Sequence, residues 1–381
     1  MPEAPQELDP KPDVPPPRRI SRRDLLKIGI GAAAGIGALG ALARLGDRES
    51  TVAPRPVSVE KTGKSPMEGI GRAQQTNGRS ENTVEKPIPV ILDTDIGYDI
   101  DDTWALAMLL RSPELDLKLA VSDTQHTGYA ASIIAKMLEA AGRTDVPVGV
   151  GVQQHTETGG QLAWVADYEL GSYPGTVAED GVGAIIETIM EAAEPVTLIC
   201  VGPVPNIAAA LEREPRIADR ARFVGMHGSV RLGYDGSSEI SAEYNVRADP
   251  KSLQRAFAAA WDVTVTPVDT CGLVKLTGEK YRRVLECPDP LARAVIENYR
   301  AWAGHGGRRE TAEERSSVLF DTVAVYLAFT SELLKMERLG IRVTDDGFTL
   351  IDEGAKTINC AMEWKDLSAF EDLLVRRLTR G

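Results

Sequence analysis

The chain has 381 residues, 43% of them hydrophobic, and a formal net charge of −13. That is globular composition, enough for one large α/β domain or two ordinary ones. The acidic balance, with no basic stripe beyond the N-terminus, argues against nucleic acid as a partner, because phosphate binding needs a concentrated positive surface.

The N-terminal stretch "RRISRRDLLKIGIGAAAGIGALGALA" has a flank of Arg18, Arg19, Arg22, Arg23 and Lys27, then an uncharged apolar and small-residue run from Ile28 to Ala43. The run is short and glycine-rich, which fits a secretory signal better than a membrane span. "SRRDLLK" resembles a twin-arginine export signal, so residues 1–43 are expected to be removed after passage through the twin-arginine machinery. Cleavage after Ala43 would leave a periplasmic or extracellular protein of net charge about −14. An uncleaved N-terminal membrane anchor is the alternative. Residues 44–86 are rich in Pro, Gly, Ser, Thr and charge without hydrophobic periodicity, and read as a disordered linker. The folded domain is expected over 87–381. Its four cysteines show neither metal-site spacing nor the density of a disulfide scaffold.

From Pro87 onward, short apolar runs alternate with amphipathic ones. "PVILDT", "DLKLAVSD", "VPVGVGV", "VTLICVG", "ARFVGMH" and "DVTVTPVD" read as strands. Helices are expected over Thr103–Leu110, Ala130–Ala141, Ala184–Ala193, Asn206–Glu212 and Pro250–Ala259. Such alternation predicts an α/β fold, an open and mainly parallel sheet with helices on both faces. The later segments "TGEKYRRVL", "DPLARAVIENYRAWA" and "SSVLFDTVAVYLAFT" read as helices, "IRVTDDGFTLIDE" as a hairpin, and Leu367–Leu378 as a last helix. In such sheets ligands sit outside the carboxyl ends of the strands. Asp93, Asp95, Asp123, His126, Val201, Gly202, His227 and Asp269 all fall there and should share one edge.

The stretch "PVILDTDIGYDIDD" places five aspartates within ten residues at the end of a buried strand. Carboxylates roughly 6 Å apart at an effective dielectric near 20 repel by about 3 kcal/mol per pair. An N-cap explains Asp101 or Asp102 alone, but leaves the others repelling. Clustered oxygen ligands point to a hard cation, Ca²⁺ or Mg²⁺. An EF-hand loop counted from Asp93 fails, with Gly97 at its fifth position and Trp104 at its twelfth. The haloacid-dehalogenase pattern fails as well, since Gly97 stands where Thr or Val is required.

"ILDTDIGYDIDDTWAL" instead resembles the opening motif of the inosine-uridine-preferring nucleoside hydrolases. "VSDTQHTGYAASIIAKMLEAAGRTDVPVGVG", "LICVGPVPNIAAALEREPRI", "SAEYNVRADP" and "VLFDTVAVY" continue the resemblance in the family's order to the C-terminus. It implies a Ca²⁺ held by Asp95, Asp102, Asp321 and the carbonyl of Val201, with Asp95 also the general base toward water. It further implies that Asp101, Glu243 and Asn245 bond ribose hydroxyls, and that His126 takes the place of a sugar-binding Asn or Asp. The implied reaction is hydrolysis of the N-glycosidic bond of a ribonucleoside or related N-riboside. Family members are commonly oligomers, so a homo-oligomer is expected.

The departures concern the leaving group. Ser237 stands where purine-type members carry Asn, and Phe320 where well-known members carry the His that protonates the departing base. The remaining acid candidates are His227, at a strand end, and His305, in the Gly-rich "AGHGGRRE", which reads as a mobile lid. Tyr299 and Trp302 beside it are read equally as stacking partners for a flat leaving group or as core aromatics; Trp104 and Trp164 are assigned to packing. Two other readings stay open: the same fold acting on another glycoside, and a metal-dependent sugar-binding protein without catalysis. The complete Asp95, Asp102 and Asp321 set speaks against the second of these.

Overall fold

A computed structural model describes residues 86–380; the expected signal segment and nearly all of the expected linker lie outside the described residues. The first strand, β1 (Ile88–Thr94), is a continuous apolar run because both faces of the sheet at this point are covered. Val90 and Leu92 pack into one core with Trp104, Met108, Ile133 and Tyr326, while Ile91 points to a second core with Leu198 and Phe223. This alternation places one hydrophobic layer on each side of the sheet.

Ten strands follow the order β4-β3-β2-β1-β5-β6-β7-β10-β8-β9. The others are β2 (Leu115–Thr124), β3 (Val148–Gln153), β4 (Val177–Ala178), β5 (Val196–Cys200), β6 (Ala221–Met226), β7 (Val263–Thr266), β8 (Leu334–Val343), β9 (Thr349–Ile351) and β10 (Thr357–Trp364). From β4 to β10 every neighbouring pair is parallel; only β8 against β10 and β9 against β8 are antiparallel. The chain builds outward from β1 through β4, then returns to β1's other edge as β5. The switch point of the sheet thus lies between β1 and β5, and a parallel sheet opens its ligand crevice there.

The six expected strands are all present and parallel. The expected hairpin is also present, as β8 paired with β9. Two strands were not foreseen. β4 is two residues long, and β10 joins β7 in parallel while pairing β8 on its other side. The segment expected to be helical from Ser316 is helical only over Thr322–Leu327. Ahead of it, Ser316 and Leu319 donate backbone N–H bonds to the carbonyls of Leu276 and Val274, which holds that piece extended and sets Asp321 at the helix start. Helices Pro250–Ala258 and Pro290–His305 open as their sequences imply, with Asp249 and Asp289 capping and proline in the first turn. No helix among the described residues is long and apolar enough to cross a membrane.

Candidate active site

The aspartate segment leaves β1 at Thr94 and turns through residues 95–100 into the helix Asp101–Leu110. The turn is fixed by close backbone packing. Gly97 has φ of +109°, and a Cβ there would fall 2.7 Å from Cε1 of Tyr129, whose hydroxyl donates to the Gly97 carbonyl. Gly159 closes over the same carbonyl, where a Cβ would lie 1.8 Å from the oxygen. Buried Gln161 completes the clamp: its amide donates to the Asp99 carbonyl and its own carbonyl accepts from Thr103 and Asn298.

This turn delivers Asp95, Asp101 and Asp102 into a cleft of about 390 Å³, where Asp321 meets them from the distant helix Thr322–Leu327. All four are at most 5% exposed, and among the described residues no basic side chain pairs with any of them. One carboxylate oxygen each from Asp101, Asp102 and Asp321 lies within 4.8 Å of the others, a set that could hold a metal ion. Asp102 also accepts from the Thr94 hydroxyl. Burial, then mutual repulsion, holds the carboxyls of Asp95, Asp101 and Asp321 well above the ordinary range, and burial pushes Asp102 up to about 8. Such a set is electrostatically costly alone and relieved by a cation; oxygen donors without nitrogen or sulfur suit a hard divalent ion.

Val201, just past β5, lines the same cleft, and its carbonyl accepts from Nδ2 of Asn245 at 3.0 Å. The same Nδ2 donates to the Met226 carbonyl, so Asn245 ties the ends of β5 and β6 together. Glu243 caps the short helix Tyr244–Ala248 and accepts the backbone N–H groups of Gly228, Asn245 and Val246. Both side chains line the cleft with Asp95, Asp101, Asp102 and Asp321. Of the residues given site roles from the sequence, Asp95, Asp101, Asp102, Val201, Glu243, Asn245 and Asp321 thus converge, and the three histidines do not.

His126 caps the helix Thr127–Ala140 by accepting from the Tyr129 N–H, and is not among the cleft-lining residues. His227 is buried behind the cleft, its Nε2 3.0 Å from the Gly202 carbonyl and its ring against Phe223 and Phe257. Burial lowers its pKa to about 4, which keeps it neutral. His305 lies exposed at the end of the helix Pro290–His305, and Ser237 is exposed in the loop after β6; neither lines the cleft. Asp269 accepts the N–H groups of Val230, Arg231 and Leu232, fixing that same loop rather than facing the cleft. Asp93 and Asp123 lie beneath the aspartate turn, both fully buried, with Asp93 bonded to Asn206.

Tyr98, Tyr234, Tyr244 and Arg247 also line the cleft and were not anticipated. The rings of Tyr98 and Tyr244 stack at 5.0 Å. Tyr98, Tyr244 and Arg247 sit inside motifs already singled out, which was the available signal; Tyr234 had none. Phe320 stands at the cleft wall, edge-on to Tyr234. Trp104 is core, as assigned; Tyr299 packs on it, and Trp302 donates its indole N–H to the Tyr98 carbonyl.

Residues 90–371 match the family model described as inosine-uridine preferring nucleoside hydrolase. A pyrimidine-specific ribonucleoside hydrolase, RihA, from Enterobacter sp. (strain 638) is 27% identical over 326 residues, 77% of this chain and 98% of that protein. RihA of Escherichia coli O7:K1 is 28% identical over 225 residues, covering 55% of this chain and 70% of that protein. Among solved structures, a plant nucleoside hydrolase, PpNRh1, superposes with a TM-score of 0.65 at 22% identity, covering 78% of this chain and all of that one. A purine-preferring ribonucleoside hydrolase from Gardnerella vaginalis does so at 0.60 and 24%, covering 76% of this chain and 98% of that one. These likenesses establish the shared fold.

Proposed function

The chain belongs to the inosine-uridine preferring nucleoside hydrolase family, and from that premise we propose that it hydrolyses the N-glycosidic bond of a ribonucleoside in a Ca²⁺-dependent reaction. The observation that carries this reading is the meeting of Asp101, Asp102 and Asp321 within 4.8 Å in one cleft with Asp95, none of them in an ion pair among the described residues. Asp102, Asp321, Asp95 and the Val201 carbonyl are the proposed ligands. Asp101, whose carboxylate oxygen lies within 4.8 Å of those of Asp102 and Asp321, would serve the same ion or a sugar hydroxyl beside it. When bound, the cation supplies a positive charge that offsets the carboxylate repulsion, acidifies water and orients ribose hydroxyls.

The remaining work belongs to the chain. Asp95 accepts the proton of the attacking water, a task open to an ionised carboxylate placed in the cleft beside Asp102 and Asp321. The surrounding carboxylates favour the positive charge that develops at the anomeric carbon as the C–N bond lengthens. Glu243 and Asn245 take the ribose, held in place by the backbone bonds described above. The name of the Enterobacter relative supports a pyrimidine ribonucleoside as substrate. His227 and His305 are given no contact with the substrate. The test is Asp95→Ala: the calcium-loaded variant should lose turnover of ribonucleosides by at least about a thousandfold. Full activity in that variant would overturn the assignment of Asp95. Export through the twin-arginine machinery belongs to the same proposal and rests on residues 18–43 of the sequence.

A further inference from the structure

A second cavity of about 340 Å³ adjoins the cleft, and Asp99 and Phe320 form part of the wall of both. Three cationic side chains line it: Lys275, Arg308 and Arg315. Only Asp99 and Asp235 oppose them, so the cavity is positive by one charge in a chain that is strongly acidic. Among the described residues, neither Arg308 nor Arg315 has an ion-pair partner within 4 Å, and Lys275 reaches exposed Asp235 only at 3.9 Å. Arg308 lies over the Trp302 ring at 5.0 Å, which holds its guanidinium at the cavity edge. Arg308 and Arg315 line this cavity together with Tyr299 and Asp99.

Phe320 immediately precedes Asp321 and lines both the cleft and this cavity. Its side chain has no proton to give a departing base. A ribose seated on the carboxylates would direct its anomeric substituent either along the Tyr98–Tyr244 wall or past Phe320. The first direction offers one cation, exposed Arg247, whereas the second offers three, Lys275, Arg308 and Arg315. We propose that this second cavity is the aglycone subsite, and that Lys275, Arg308 and Arg315 select N-ribosides whose base carries a carboxylate. The proposal rests on the N-ribosidase reading above. Arginine is suited to the task because its planar fork matches a carboxylate bidentately and stays charged at any working pH.

The test uses matched pairs differing by one carboxylate: uridine against orotidine, and nicotinamide riboside against nicotinic acid riboside. Calcium-loaded protein should show at least about tenfold higher kcat/KM for the carboxylated member of one or both pairs. Arg308→Gln and Arg315→Gln should each reduce that preference by roughly three- to fivefold, with the neutral members little affected. Exposed Arg283→Gln serves as the control and should preserve the preference. Binding of the free bases by titration calorimetry, orotate against uracil and nicotinate against nicotinamide, reads the cavity without turnover and should show the same order. Cleavage of uridine without preference for the acid, and equal binding of both free bases, would overturn this inference while sparing the ribosidase reading. Cleavage of no riboside would overturn that reading instead, and acid-selective base binding would still mark the cavity. Faster cleavage of uridine 5′-monophosphate without a gain from the base carboxylate would place the anion on the sugar and refute the aglycone assignment.

Discussion

Replacing Asp321 by Asn should stabilise the metal-free protein and blunt its response to calcium. Asp101, Asp102 and Asp321 present oxygens within 4.8 Å of one another. At that distance and an effective dielectric near 20, each ionised pair repels by about 3.5 kcal/mol. Burial and this repulsion raise the carboxyls' affinity for protons in the metal-free protein, which offsets part of the cost of keeping them together. The Asp321→Asn substitution removes two of the three repelling pairs, and the net relief should be about 1–2 kcal/mol. For a folded unit of this size that is a rise of roughly 2–4 °C in the melting temperature of the metal-free protein. Calcium at a hundred times its dissociation constant stabilises the native state by about 2.7 kcal/mol, or roughly 5 °C. At the same calcium concentration the variant should gain less than about 2 °C. Differential scanning fluorimetry of residues 44–381, with EGTA and with added calcium, measures both quantities. A variant less stable than wild type in EGTA, or one that gains as much from calcium, would refute the electrostatic account of the cluster.

Other perturbations read other parts of the structure. His227 is neutral and buried, with a pKa near 4 against an ordinary 6.5, so below pH 6.5 the unfolded chain takes up a proton that the folded one refuses. Stability is therefore lost as pH falls from 6.5 to 4, by up to roughly 3 kcal/mol from this residue. In urea unfolding, the stability of wild type relative to His227→Gln should fall by that order between pH 7.5 and 4.5; a constant difference would show that His227 is not buried neutral. Gly159→Ala should displace the aspartate turn, because the new Cβ would fall 1.8 Å from the Gly97 carbonyl oxygen. Calcium affinity by titration calorimetry should drop at least about tenfold, and unchanged affinity would mean the two loops are not coupled. Finally, Arg22→Lys with Arg23→Lys should leave the protein in the cytoplasm on cell fractionation; undiminished export would exclude the twin-arginine route.

The layered parallel sheet was legible because β1 and β5 are buried and read as apolar runs, while β2 alternates apolar with charged residues before becoming fully buried. β4 was not, since two residues carry no periodicity, and β10 reads like an ordinary amphipathic segment until its neighbours β7 and β8 are known. The carboxylates of the cleft were legible from type and spacing, and Asp321 was placed among them only through the resemblance to a family. The histidines misled for a physical reason: a position at a strand's end says nothing of side-chain direction. His126 turns back to cap its own helix, and His227 turns into the Phe223 and Phe257 layer. The second cavity was invisible to sequence reading because Lys275, Arg308 and Arg315 sit in or beside three separate segments and converge only through packing of the later helices.

The central claim is tested most directly by ribose release. Residues 44–381 loaded with calcium, incubated with uridine, cytidine, inosine, adenosine, guanosine, orotidine and nicotinic acid riboside, should liberate ribose and free base from at least one of them. That release should vanish with EGTA and return with calcium. Calcium-loaded protein that cleaves none of these ribosides would contradict the proposed function, and cleavage unchanged by the chelator would contradict the role given to the aspartate cluster.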